Sequence, residues 1–96
     1  MVVGPQILRL TLFESATLKQ KRAVVRRVRD RVSHRFNAAV AEVDTLDQAG
    51  TATIGIACVS NDRAHAHAQV MKILNFVERL NIDAEISDVE TEILNL

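Results

Sequence analysis

Residues 17–36 read TLKQKRAVVRRVRDRVSHRF, and this stretch fixes the first helix and, through it, the layout of the chain. Thr17 followed by Gln20 makes a T-x-x-Q capping box, in which each side chain satisfies an orphan amide of the other's residue. Projected at about 100° per residue, Leu18, Val25, Val28, Val32 and Phe36 share one side, with Val24 at its margin. That side is expected to meet a sheet. The same projection sets Lys19, Arg22, Arg26 and Arg29 in one row beside the apolar stripe and Arg27, Arg31 and Arg35 in another. Eight of the twelve Lys and Arg residues lie here against a single acid, Asp30, in a chain whose formal net charge is zero. Asp30 is spaced to pair with Arg26, Arg27 or His34, each pair contributing about 0.2–0.5 kcal/mol, so most of the positive charge stays unpaired within the helix. Lys21 projects toward the apolar stripe and must either reach past the end of the sheet or meet an acid from elsewhere.

Outward from this helix, period-two alternation dominates. Gln6 to Phe13 puts Leu8, Leu10 and Leu12 on one face and Ile7, Arg9, Thr11 and Phe13 on the other, the pattern of a strand. NAAVAEVD at 37–44 and TATIGIACVS at 51–60 read as two further strands joined by a hairpin loop over 45–50. Ser60, Asn61 and Asp62 offer caps for a second helix, whose apolar periodicity runs through Val70, Ile73, Leu74, Val77 and Leu80 and ends near Asn81. Residues 84–94 form a last strand in which Ile86 falls out of phase, so a bulge is expected near Ser87. The order βαββαβ predicts a ferredoxin-like α+β fold, a four-stranded antiparallel sheet with two helices on one face. The other face would carry Ile7, Phe13 and Val59 among polar residues.

Ninety-six residues, 48% of them hydrophobic, suit one domain over 1–96 with a single core. One cysteine, Cys58, excludes an internal disulfide, and a reducing, cytoplasmic setting is expected from that usage. No apolar run approaches the ~20 residues of a membrane span. The balanced net charge conceals polarity: residues 83–92, DAEISDVETE, hold five acids and no base, opposite in character to 17–36.

Catalytic constellations are absent from the pattern. His65 and His67 in DRAHAHAQV would share a face on a strand, but on a helix they point roughly 160° apart and do not chelate one ion. Glu42 and Asp44 share a strand face, the way paired carboxylates are built, yet no partner acid, base or nucleophile accompanies them. No Gly-rich anion loop occurs. Neither a metal site nor a cofactor is expected, and a binding role is favoured over an enzymatic one. The cationic first turns, Lys19, Lys21 and Arg22, lie where the helix dipole disfavours them by about 0.3–1 kcal/mol each. Together with free first-turn amides they point to an anion, and the Arg rows suit a phosphate backbone. Phe36 is the one aromatic residue among them, so base stacking is not expected.

Four segments, TLKQKR at 17–22, RFNAAVAEVD at 35–44, VSNDRAHA at 59–66 and DVETEIL at 88–94, together resemble the YlxP-like family of small bacterial proteins of unknown function. The resemblance covers nearly the whole chain. It implies a ferredoxin-like fold and, through gene neighbours concerned with translation initiation and ribosome maturation, an RNA- or ribosome-linked role by association; it carries no catalytic residues. It differs here in Thr17 and Gln20, where the family commonly has Ser and Glu, both of which keep the capping box. The matching positions Lys19, Lys21, Arg22, Arg35, Asn37, Glu42, Asp44, Asn61, Asp62 and Arg63 are candidates for a shared surface. Two roles are therefore expected. One is a non-enzymatic module binding structured RNA or a ribosomal particle through Lys19, Lys21, Arg22, Arg26, Arg29 and Arg35. The other is a homo-oligomeric or small-ligand regulatory domain, dimeric through its open sheet face.

Overall fold

A computed structural model describes all 96 residues. The elements follow as β1 (Val2–Leu12), α1 (Leu18–Arg35), β2 (Ala39–Glu42), β3 (Thr51–Ser60), α2 (Arg63–Glu78), β4 (Ala84–Thr91) and β5 (Leu94–Asn95). The strands form one antiparallel sheet in the order β2-β3-β1-β4, with β5 also pairing β1. This is the expected βαββαβ ferredoxin-like arrangement, extended by one short strand.

Alternation in β1 and β3 drives the layering. Leu8, Leu10 and Leu12 of β1 and Ala52, Ile54, Ile56 and Cys58 of β3 turn to one side, where they meet Val24, Val28 and Val32 of α1 and Val70, Ile73 and Val77 of α2. Val24 belongs to the centre of the buried stripe, whereas Val25 packs at its edge. At Gly4 the second helix comes close to β1: a Cβ there would stand 3.2 Å from Val70 Cγ1. Truncating a fully buried core residue such as Leu8 or Ile73 costs about 2–5 kcal/mol, so this layer holds the helices in fixed positions.

Both helices begin as their sequences direct. Gln20 N donates to Thr17 Oγ1 at 3.1 Å and Thr17 N to Gln20 Oε1 at 2.7 Å, completing the capping box. At the second helix Asp62 Oδ2 accepts from His65 N at 3.0 Å. Ser60, the earlier candidate, instead receives Asp62 N and faces His65 Nδ1.

Two irregularities have local causes. The β1–β4 register shifts between Arg9 and Leu10, leaving Ser87 without a partner across the ladder, the bulge that the phase of Ile86 predicts. Ser87 Oγ fills the gap by donating to Arg9 O at 3.1 Å. The break between β4 and β5 lies beside Pro5. The N–H and C=O of a strand residue point the same way, and Pro5 O accepts Glu92 N at 3.0 Å, so on this side Pro5 has no amide to give. The ladder stops at Thr91 and resumes at Leu94, so the expected strand over 84–94 is divided.

The open face of the sheet is more apolar than the alternation implied. Besides Phe13 and Val59, a shallow apolar floor runs from the expected Ile7 over Pro5, Ala39, Ala41, Val43 and Ala57, built largely of short side chains. Polarity gathers at the β4 side, where Arg9 Nη1 meets Asp88 Oδ2 at 2.7 Å and Glu90 Oε1 at 3.6 Å.

Candidate nucleic-acid interface

Lys21 is fully buried although it belongs to the most basic turn of the chain. Its stem lies in line with Val24, Val28 and Val32 on the inward side of α1. Its ammonium meets Glu42 Oε2 at 2.7 Å and the carbonyls of Thr45 and Leu46 at 2.6 and 3.2 Å. The same carboxylate oxygen accepts Thr45 Oγ1 at 2.8 Å, and that hydroxyl in turn accepts Thr53 N at 2.8 Å. Three donors on nitrogen meet three acceptors, which is what a buried ammonium requires. The first helix, the end of β2 and the hairpin loop are tied by one polar cluster.

This corrects two of the expected surface positions, Lys21 and Glu42. Lys21 takes no ligand, because every proton of its ammonium faces the protein interior; of the two routes open to it, it meets an acid from elsewhere. Glu42 is its counter-ion, not a surface carboxylate. Asp44 remains exposed beyond the end of β2, so the two acids do not form a carboxylate pair. Other motif residues also hold the fold: Asp62 caps α2, and Arg63 Nη1 donates to Ile93 O at 3.2 Å, fastening the start of α2 to the C-terminal segment. Asn37 and Asn61 lie exposed at the two turns. His65 and His67 are both exposed on α2.

What remains on α1 is a cationic surface. Asp30 pairs with its neighbour, Arg29 Nε to Asp30 Oδ1 at 3.1 Å, and not with Arg26, Arg27 or His34. With about half of each side chain or more in water, this pair contributes ~1 kcal/mol at most. Lys19, Arg22, Arg26, Arg27, Arg31 and Arg35 are exposed and form no ion pair. The acid-free first turn leaves the positive end of the helix dipole uncompensated.

The cations flank α1 on both sides. Toward β2, Arg22, Arg26 and Arg29 line an open cleft of about 340 Å³ together with Val40, Leu46 and the Glu42 that pairs with Lys21. Toward α2, Arg35 joins Lys72 and Arg79 in a second cleft of about 420 Å³ with Phe36, Asn75 and Phe76. Lys72 and Arg79 were not among the expected site residues. Their position opposite Arg35 depends on how the helices pack, which no local pattern in the sequence shows. Acids lie on the other side of the sheet, along β4, so the two helices and the last strand give the molecule oppositely charged sides.

A ferredoxin-like α+β protein with a cationic helix layer is thus defined by the fold and its surface. The chain belongs to the family described as "Protein of unknown function (DUF503)", whose model matches residues 3–91. It is similar to the uncharacterized protein YlxP of Bacillus subtilis (strain 168), 31% identical over 67 residues that span 70% of this chain and 73% of that protein. The YlxP-like resemblance carried by the four motifs is borne out. No helix is long and apolar enough to cross a membrane.

Proposed function

We propose that the chain is a non-enzymatic binding module that holds structured RNA, free or within a ribosomal particle, against the outer surface of α1. One observation carries this: six exposed cations on a single helix have no acidic partner, although the chain holds as many acids as bases. A stability-driven design would set carboxylates at i, i+4 positions or in the first turn. Concentrated cations with free donors suit a polyphosphate surface, which is bound by counter-ion release without base reading. Titration of a labelled RNA hairpin across a salt series tests it. Contact with three duplex phosphates gives a slope of about −3 in log K against log salt. Affinity that ignores salt contradicts the proposal.

A second copy of the chain on the open sheet face is the other reading. It is favoured by the apolar floor over Pro5, Ile7, Ala41, Val43 and Ala57 with its acidic margin on β4. Sedimentation velocity decides it: a monomer at tens of micromolar excludes that face as a stable dimer surface.

A further inference from the structure

We infer that the cleft between the ends of α1 and α2 is a seat for one unpaired nucleotide, with the Arg35 guanidinium as the shelf on which its base stacks. This rests on the RNA reading above and adds a ligand class to one part of that surface.

The two helices bring together residues forty positions apart. Phe36, at the C-cap of α1, packs edge to face against Phe76 of α2, with ring centroids 5.5 Å apart and an interplanar angle of 75°. Arg35 Cζ lies 5.2 Å from the Phe76 centroid and 6.0 Å from that of Phe36. Both distances are within cation–π range, and the C-terminal end of the helix dipole favours the cation there. Although held by two rings, the guanidinium makes no ion pair and donates no hydrogen bond within the protein. A planar cation seated against two rings, with free donors and a solvent-facing side, is a surface on which nucleobases stack.

The rest of the cleft fits the same ligand. Lys72, Asn75 and Phe76 of α2 and its C-cap Arg79 recur at i, i+3, i+4 and i+7, so they share one side. Lys72 and Arg79 flank the shelf as phosphate partners, and no acid lines the cleft. The Asn75 amide offers both a donor and an acceptor to a base edge. Its volume of about 420 Å³ falls within the range of small-ligand sites, roughly 300–1,000 Å³. An acidic peptide would use the charges but not the stacked plane, and for that reason the arrangement favours a nucleotide.

The test compares two RNAs with equal numbers of phosphates, a hairpin with a single-stranded loop and a blunt duplex, by fluorescence anisotropy at fixed salt. Arg35→Lys keeps the charge and removes the plane; Phe76→Leu keeps apolar bulk and removes the ring beneath it. Both are expected to weaken the looped RNA at least about fivefold, the lower end of a stacked base's contribution, and to leave the duplex within about twofold. Equal effects on both RNAs, or on neither, overturn the stacking seat while the cationic surface of α1 stands. Competition by polyglutamate as effective as by looped RNA overturns the nucleotide assignment. Wild-type protein that binds neither RNA overturns the RNA reading itself.

Discussion

Replacing Lys21 by Met should be among the most damaging single substitutions available in α1, although it occurs in the chain's most basic turn. The ammonium is 0% and the Glu42 side chain 7% exposed. The substitution leaves a carboxylate shielded from water with Thr45 Oγ1 as its remaining partner, and the carbonyls of Thr45 and Leu46 lose a donor. Breaking a buried pair by removing one member costs about 3–5 kcal/mol. At 0.05–0.15 kcal/mol per residue a chain of 96 residues has roughly 5–14 kcal/mol in all, so at least about a fifth of the stability is at stake. With an m-value near 1.5 kcal/mol/M, the urea midpoint should fall by roughly 2–3 M. Removing both charges, Lys21→Met with Glu42→Leu, should recover a large part of the loss, since it is the orphaned charge that is costly. The two loop carbonyls keep the double variant below the wild type. A loss under about 1 kcal/mol for Lys21→Met, or a double variant equal to the sum of the singles, would refute the buried-pair account. RNA affinity of the folded Lys21→Met protein should match the wild type, because this lysine never faces the surface.

Two further outcomes follow from the core. Gln6 is 1% exposed and its Oε1 has no hydrogen-bond partner, while its Nε2 donates to Thr91 Oγ1 at 3.1 Å. Gln6→Met should therefore stabilise by about 1 kcal/mol, read as a rise of roughly 4–8 °C in Tm, and a fall of that size would mean the carbonyl is satisfied. Burial pushes the Cys58 thiol up from its ordinary value. The neutral thiol is thus favoured in the folded chain, and its contribution is full below the unfolded thiol's pKa. It is lost as pH rises from there toward the folded value. Stability should decline in the alkaline range above about pH 8.5, and Cys58→Ala should flatten that part of the urea-midpoint profile; an unchanged slope would place the effect elsewhere.

The elements themselves were legible because local signals agreed with the global arrangement. Thr17 and Gln20 announced the helix start, alternation through Leu8, Leu10 and Leu12 gave the inward face, and the phase of Ile86 located the bulge at Ser87. The site was less legible, since its members meet only in three dimensions. Helical projection showed that Lys21 pointed inward, yet nothing local to it named Glu42, which reaches it by way of the β2–β3 hairpin. Glu42 itself read as one of two surface carboxylates. Phe36 looked like the one aromatic residue near the cations until helix packing brought Phe76 under Arg35. The apolar open face was hidden because half of its floor is Ala39, Ala41 and Ala57, whose short side chains mark it weakly in the alternation but leave little polar surface when adjacent strands align. Much of what makes the four motifs recognisable turns out to hold the fold: a capping box, a buried ion pair, a second cap and a terminal latch.

The account stands most directly on the outer surface of α1. Of Lys19→Glu, Arg22→Glu and Arg26→Glu combined, the first puts an acid in the first turn, where the helix dipole favours it, whereas Glu at 26 stands i,i+4 from Asp30, so an unchanged urea midpoint is the control that separates loss of binding from loss of fold. The decisive measurement is retention of ribosomal particles and RNA by immobilised wild type and by this variant, at low and high salt. Retention by the wild type that falls with salt and is abolished in the variant is the predicted result. Equal retention by both proteins, or a variant altered only in its oligomeric state, would contradict it.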